Sequence, residues 1–343
     1  MAPFFSIILP TYNRAAMLRT AVSSVLAQSC ADFECFVIDD GSTDQTSQVL
    51  QEFQSEPRLR VQRFPDNRRQ HVRRNWALAQ ARGEFIAFLD SDDVWLPDRL
   101  EAFAQYLRAH PRTDFCFSNA YLWRDGRITG TVFPPNAPLA EGQVPGWYAV
   151  GHPRLPYLTS NLAVRRALFA QIGRFREDMF ILEDTELYAR MLASGARVGA
   201  IRRPLAVRRL HPGQITHDYR VDYREALMAL ASSGATEEEA RAVKRRVALE
   251  VAGYFWNDLR PAEARGFLRT ELAGRATDTA LYWLSFLPAA LLSPAKSLRR
   301  LWLRWACHPV GVKAEIREVY RFLSPLLARE EQAGRRESLS GRA

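Results

Sequence analysis

Cysteine is scarce in this chain of 343 residues. There are four, Cys30, Cys35, Cys116 and Cys307, and no two of them form a Cys-x-x-Cys pair. That spacing argues against a zinc ribbon and a disulfide framework, and a reducing cytoplasm is the simplest compartment. Long apolar runs are missing as well. The nearest, Leu281 to Leu292, is broken by Pro288 and too short for a membrane span. Met1 to Pro10 has no basic region ahead of its apolar stretch, so it reads as a first strand and not as a signal peptide. No Gly-x-Gly-x-x-Gly follows that strand and there is no Walker loop, which excludes the glycine-rich phosphate cradles. No internal repeat is visible. Basic residues exceed acidic ones by nine, a balance that suits nucleic acid, an anionic membrane surface or phosphate-bearing substrates. The basic residues are scattered and carry no nucleic-acid motif, so nucleic acid is not an expected partner.

What the chain does have is a pattern. Phe85 to Leu89 is a run of five apolar residues that reads as a buried strand, and it ends in Asp90-Ser91-Asp92-Asp93. In extended backbone, side chains at i and i+2 share a face, so Asp90 and Asp92 converge. Crowded carboxylates repel unless a cation neutralises them, and hard oxygen ligands suit Mg²⁺ or Mn²⁺. The same residues are also common in an ordinary solvated strand-to-loop turn. Ahead of this run, strands are expected at Phe4–Leu9, Phe33–Ile38 and Leu59–Phe64. Helices are expected at about Ala15–Gln28, from Thr43 or Asp44 to about Phe53, and at about Arg68–Ala81. The β-α-β-α-β-α-β order predicts a mostly parallel central sheet flanked by helices. Ligands of such sheets sit outside the carboxyl ends of the strands. Thr11–Arg14, Asp39–Asp40 and Asp90–Asp93 all fall on that rim.

Three motifs carry a family resemblance. Ser6–Arg14 (SIILPTYNR), Val37–Asp44 (VIDDGSTD) and Phe88–Pro97 (FLDSDDVWLP) together closely resemble the family-2 glycosyltransferases, inverting enzymes of the GT-A fold. The resemblance covers about Phe4 to His217. It implies an α/β fold of the GT-A nucleotide-diphospho-sugar transferase type, acting in bacterial polysaccharide or lipopolysaccharide synthesis. It implies that Tyr12 packs on a nucleotide base that Asp40 hydrogen-bonds, with Arg14 nearby. Asp90 would contact the ribose, and Asp92 would ligate a Mn²⁺ or Mg²⁺ ion bridging the diphosphate. The nucleotide-sugar contacts expected in all are Pro10, Thr11, Tyr12, Arg14, Asp40, Arg74, Asn75, Asp90 and Ser91. Asp39 is also read as a turn residue bonding neighbouring amides, Tyr12 as a core aromatic, and Arg68 and Arg69 as a solvated basic face.

Farther on, Phe115–Ser118 and Tyr121–Trp123 read as strands, Pro134–Pro156 as a loop, and Tyr157–Val164 as a strand. Glu183-Asp184-Thr185-Glu186 opens a helix. Acidic residues suit a first turn, and Glu186 and Arg190 are placed to pair at i, i+4. By resemblance, Asp184 is the general base on the acceptor hydroxyl and Glu183 its supporting neighbour. Arg209-Leu210-His211 resembles a family Arg-x-His, which makes His211 a second candidate metal ligand, ahead of His217.

The domain division expected is a catalytic domain over 1–217, with its nucleotide-sugar half at about 1–125 and its acceptor side at about 126–217. A helical region over 218–329 and a disordered tail over 330–343 follow. Thr236-Glu237-Glu238-Glu239 is a capping box for a long helix. Leu298, Leu301, Trp302 and Trp305 lie opposite Arg299, Arg300 and Arg304, as in an amphipathic segment at a membrane interface or in a face packed on a second subunit. The expectation is therefore a metal-assisted inverting transferase, peripheral on the inner face of the cytoplasmic membrane. Its donor would be a nucleotide diphosphate sugar, UDP-linked by preference, and its acceptor a glycan or lipid-linked saccharide. Two alternatives stand beside it. One is a sugar-nucleotide pyrophosphorylase, which would want a glycine-rich loop where Pro10–Arg14 stands. The other is a non-catalytic nucleotide-sugar-binding or membrane scaffold of the same fold.

Overall fold

The computed structural model describes residues 2–156, 158–211, 218–272, 276–284, 286 and 313–340. The first half alternates as expected: β1 (Phe5–Thr11), α1 (Ala15–Leu26), β2 (Phe33–Asp39), α2 (Thr46–Gln51), β3 (Leu59–Arg63), α3 (Gln70–Gln80) and β4 (Phe85–Phe88). Then come β5 (Val94–Trp95), α4 (Arg99–Ala109), β6 (Phe115–Arg124), β7 (Arg127–Thr131), β8 (Gly142–Gln143), β9 (Leu162–Arg165), α5 (Ala167–Ile172), α6 (Glu183–Ala193) and β10 (Arg197–Arg209). The remainder is helical: α7 (Tyr219–Ala231), α8 (Glu237–Asn257), α9 (Pro261–Leu272), α10 (Ala280–Leu284) and α11 (Lys313–Ser340).

The sheet order is β3-β2-β1-β4-β9-β6-β10-β5. β3, β2, β1 and β4 run parallel, β9 is antiparallel to β4 and β6, and β10 returns parallel to β6. The apolar runs of the strands follow from burial on both faces. Ile8, Phe36, Ile38, Ile86 and Phe88 enter one core layer, and Phe5, Ile7, Leu9, Val37 and Ala87 enter the other. Pairing of Thr11 with Asp39 at the end of β1 and β2 brings the two polar loops side by side.

Several local expectations change. The strand expected from Tyr157 begins only at Leu162, because Thr159–Asn161 forms a 3₁₀ turn. Its side chains satisfy nearby backbone: the Asn161 Oδ1 accepts the Leu158 amide at 2.9 Å, and its Nδ2 donates to the Ser118 carbonyl at 2.5 Å. The two strands expected between Phe115 and Trp123 are the single strand β6. The 134–156 loop contains β8 and a 3₁₀ turn at Gly146–Ala149.

Beyond β10, α7, α8 and α9 share their own core of Tyr223, Ala226, Val247, Val251, Phe255 and Phe267. The Thr236 capping box forms: its Oγ1 accepts the Glu239 amide at 3.3 Å, and Glu239 accepts the Thr236 amide at 2.9 Å. Val319 and Leu323 of α11 pack on Val94, Tyr121 and Val207 of the sheet. The expectation of disorder from Glu330 fails at that residue, which is helical. Its carboxylate accepts from Arg209 at 2.6 Å and from the Thr20 hydroxyl at 2.8 Å. The amphipathic segment at Leu298–Trp305 and His217 lie outside the described residues. Among those residues no helix is long and apolar enough to cross a membrane.

Candidate active site

A cavity of about 550 Å³ opens at the carboxyl ends of β1, β2 and β4. Pro10, Thr11, Tyr12, Arg14, Asp40, Asp90, Ser91 and Asp92 all line it, so three separate sequence motifs meet at one place. Tyr12 is 42% exposed and presents its ring there, which sets aside its reading as a core aromatic. The loop after β1 is fixed by Asn13, which takes a left-handed φ of 49°. Its side-chain oxygen accepts the Thr43 amide at 2.8 Å, and its own amide donates to the Ser42 hydroxyl at 2.9 Å.

Asp39 and Asp40 divide their work. Asp39 accepts the Ser42 amide at 2.9 Å and pairs with Arg63 at 3.3 Å, the turn-forming reading. Gly41 follows at φ 78°, and a Cβ there would lie 2.7 Å from the Asp66 carbonyl carbon, so only glycine fits. Asp40 is buried at the cavity edge. It accepts the Arg68 amide at 2.9 Å and pairs with the Arg73 guanidinium, which in turn donates to the Asp66 carboxylate at 3.0 Å.

The helix before β4, α3, behaves differently from expectation. Arg74 is 1% exposed and does not line the cavity; it bridges Asp90 at 2.6 Å and Glu183 at 3.1 Å. Burial works against its charge, but the Asp90 and Glu183 carboxylates outweigh that and raise its pKa. Asn75 turns away from the site. Its Nδ2 donates to the Phe175 carbonyl at 2.9 Å and to Glu177 at 3.1 Å, and its Oδ1 accepts the Phe175 amide at 3.0 Å. A helix buries one face, and these residues fall on it, so their polar groups are consumed by the protein.

The Asp90–Asp93 loop is braced from several elements. The Asp90 amide donates to the Ser160 hydroxyl at 3.1 Å. Asp92 sits 3.0 Å from the Nε2 of His211. Arg209 donates to the Asp92 carbonyl at 2.5 Å, and its amide donates to Asp93 at 3.1 Å. Burial first, then the charges of Asp92 and Asp90, push the Asp93 carboxyl up to about 8. No cluster of three or more His, Cys, Asp or Glu side chains among the described residues is disposed to hold a metal alone. Asp92 lines the cavity and His211 stands 3.0 Å behind it, a carboxylate oxygen and an imidazole nitrogen of the kinds that could hold a divalent ion taking its remaining ligands from elsewhere.

α6 brings the second carboxylate pair. Glu183 is 1% exposed, bonded to Arg74 and to Gln70 at 3.0 Å. Burial and the neighbouring Asp184 charge push it up to about 7. Asp184 is held by donors: the Thr159 hydroxyl at 2.8 Å and the Thr185 amide at 2.6 Å. The expected Glu186–Arg190 pair forms at 2.8 Å.

The sequence reading missed Asn67, Arg69, Gln70, Phe180, Ile181 and Arg208, all of which line the cavity. Arg69, read as a solvated face, lies over the Phe180 ring at 3.4 Å. The available signal was position: 67–70 follow β3 onto the same rim. Phe180–Leu182 are fixed by a distant residue. The buried Glu225 of α7 accepts the amides of Phe180, Ile181 and Leu182 at 2.7, 2.8 and 2.9 Å. Glu225→Ala is expected to destabilise the protein by about 2 kcal/mol, since three amides lose a charged acceptor. It should also speed amide hydrogen exchange at 180–182 selectively. Unchanged exchange at those three amides would show that they do not depend on Glu225.

Residues 6–127 match the family model for glycosyl transferase family 2. The Escherichia coli UDP-Glc:alpha-D-GlcNAc-diphosphoundecaprenol beta-1,3-glucosyltransferase WfgD is 35% identical over 130 residues, which cover 38% of this chain and 51% of that protein. The chain spans only 30–51% of the length of three curated relatives with which it shares 35–41% identity. The crystal structure of S. aureus TarS 1-349 in complex with UDP-GlcNAc has a TM-score of 0.59 at 21% identity, over 79% of this chain and 82% of that one. The mannosyltransferase PcManGT from Pyrobaculum calidifontis, in complex with GDP-Man and Mn²⁺, has a TM-score of 0.55 at 20% identity, over 96% and 86%. These two likenesses establish the fold: a central sheet flanked by helices, as in GT-A glycosyltransferases, with a helical C-terminal region.

Proposed function

We propose that this chain, whose residues 6–127 match the family model for glycosyl transferase family 2, belongs to that family and moves a sugar from a nucleotide diphosphate sugar to an acceptor hydroxyl with inversion at the anomeric carbon. The observation that carries the reading is the meeting of Tyr12, Asp40, Asp90, Ser91 and Asp92 around one cavity. Tyr12 offers a ring face for a base, and Asp40 offers a carboxylate for the base N–H. Asp90, with one oxygen tied to Arg74, presents its carboxylate towards a ribose. Arg14, Arg69 and Arg208 line the same cavity and match the charge of a diphosphate. Asp92 and His211 would hold a divalent ion, which when bound offsets charge on the diphosphate.

Asp184 takes the acceptor proton. The acceptor oxygen then forms its bond to the anomeric carbon, and the bond to the diphosphate oxygen breaks with its electron pair leaving on that oxygen. Glu183 and Arg74 keep Asp184 and Asp90 in fixed relation. A uridine donor is in keeping with WfgD, a UDP-Glc glucosyltransferase, and with TarS bound to UDP-GlcNAc, and Mn²⁺ with the ion bound to PcManGT. The acceptor is a glycan or lipid-linked saccharide, in keeping with WfgD, and a peripheral position on the inner membrane face goes with it. The catalytic unit is taken as 1–217, with the helices beyond as an appendage.

Isothermal calorimetry with UDP, GDP and dTDP, each with Mn²⁺, Mg²⁺ or EDTA, tests the reading. The expected result is UDP binding that weakens at least tenfold, about 1.4 kcal/mol, when EDTA removes the ion. Failure of all three nucleotides to bind folded protein would overturn the transferase assignment.

A further inference from the structure

A second cavity, of about 440 Å³, lies between α6, α7, α8 and the loop at Val150–Gly151. That size falls within the range of small-ligand sites. Its floor is aliphatic, built from Leu182, Ala226, Val247 and Val251. Its polar side groups are Tyr219, Tyr254, Asp222, Glu250 and Thr185. The Tyr219 and Tyr254 rings stand 5.4 Å apart at 37°. Each ring is set in place by its hydroxyl, which donates to Asp258 at 2.6 Å for Tyr219 and to Glu250 at 2.7 Å for Tyr254. Tyr254 remains 37% exposed, so a ring face is available. Among the described residues, none that lines the cavity is basic. The nearby Arg246 is engaged by the carbonyls of Val150 and Gly151.

This cavity and the first one share a wall. Phe180 and Ile181 line the first, while Leu182 and Thr185 line the second. Asp184 sits in that wall, 3.3 Å from the Thr185 hydroxyl. The Glu225 carboxylate pins the same segment to α7, so the second cavity is built against a fixed wall.

We propose that the second cavity binds an uncharged saccharide unit of the acceptor; this rests on the transferase reading. A pyranose has an apolar C–H face that stacks on an aromatic ring, and edge hydroxyls that donate to carboxylates. The exposed ring of Tyr254 and the partly buried ring of Tyr219, beside Asp222 and Glu250, offer both. The two carboxylates, with no cation among the described lining residues, disfavour a uronic acid or a phosphodiester polymer at this subsite. The thread from Thr185 to Asp184 places the bound saccharide beside the proposed base, so a neighbouring hydroxyl of the same acceptor can reach it.

Saturation-transfer NMR on the full chain tests this, with methyl glycosides of glucose, galactose, mannose and N-acetylglucosamine as probes. Glucuronate and octanol serve as anionic and apolar comparisons. Transfer to the ring protons of at least one neutral glycoside is expected, unchanged when UDP and Mn²⁺ are added. It should fall about fivefold in Tyr254→Ala, the loss of one aromatic contact, and also in Glu250→Gln. Both positions are exposed on α8, and folding is checked by circular dichroism. No transfer to any neutral glycoside, transfer that survives both substitutions, or equal binding of glucuronate would overturn the proposal. Binding of octanol alone would overturn it too and mark the cavity as an apolar-chain site. UDP binding is measured on the same sample. Its loss would count against the transferase reading, and its retention without glycoside binding counts against this proposal alone.

Discussion

Replacing Arg74 with methionine is expected to destabilise the protein by about 3–5 kcal/mol, the cost of removing one partner from a buried ion pair. Methionine fills most of the volume but supplies no charge. Glu183, 1% exposed, would keep the Gln70 side chain as a partner but no cation among the groups bonded to it, and Asp90 would lose its 2.6 Å contact. The effect belongs to stability before it belongs to chemistry, because the guanidinium touches no open space of the cavity. A fall of about 1 M or more in the urea midpoint checks it. A midpoint within a few tenths molar of the parent would mean that these carboxylates are neutral in the native protein.

The same substitution changes the pH dependence, and the sign follows from Glu183. Its folded pKa is pushed up to about 7, above its ordinary 4.5, by burial and by Asp184, while Arg74 opposes the rise. Between those values the folded protein binds more protons than the unfolded chain, so this group makes stability fall as pH rises across the window. Without Arg74 the folded pKa moves higher and the window extends upward. The deficit of the variant should therefore be larger at about pH 8 than at about pH 5. Equal deficits at both pH values would remove Glu183 from the account.

Why Arg74 reads as a ligand contact in the sequence and as a brace in the structure is a matter of range. The motifs that were legible are short and local: a strand ends, and its carboxylates or its Thr-Tyr-Asn-Arg loop must lie on the rim. Parallel pairing then brings Tyr12, Asp40 and Asp90–Asp92 together without further information. The partners of Arg74, Asn75 and Glu225 carry no such signal. Glu183 lies 109 positions from Arg74, Phe175 lies 100 from Asn75, and Phe180 lies 45 from Glu225. Nothing in local periodicity says which buried polar side chain meets which. The tail shows the same limit, since Glu330 looks like the start of a polar, solvated end until Arg209, 121 positions earlier, is seen to bind it.

Asp184→Asn is expected to lower the turnover rate by about 10²–10⁴-fold, the usual contribution of a positioned general base, while nucleotide binding and folding persist. The geometry makes the substitution a clean one. Asp184 Oδ1 accepts the Thr185 amide at 2.6 Å, an N–H that only an oxygen can meet. Its Oδ2 accepts the Thr159 hydroxyl at 2.8 Å, a group that can turn and accept a proton instead. An asparagine with its oxygen at the first position and its NH₂ at the second keeps both contacts, so stability should stay within about 1 kcal/mol. What it loses is the basic lone pair. Initial rates of nucleotide release, together with calorimetry of the donor nucleotide, check both halves. Glu183→Gln is the necessary companion, because Glu183 is adjacent and titrates near neutrality. If Asp184→Asn keeps turnover within a few fold while Glu183→Gln loses it, the base is Glu183, and Asp184 serves to raise its proton affinity. If Asp184→Asn loses turnover and Glu183→Gln loses mainly stability, the proton leaves the acceptor for Asp184, and Glu183 is the buried partner that holds Arg74 and Asp90 in register with it.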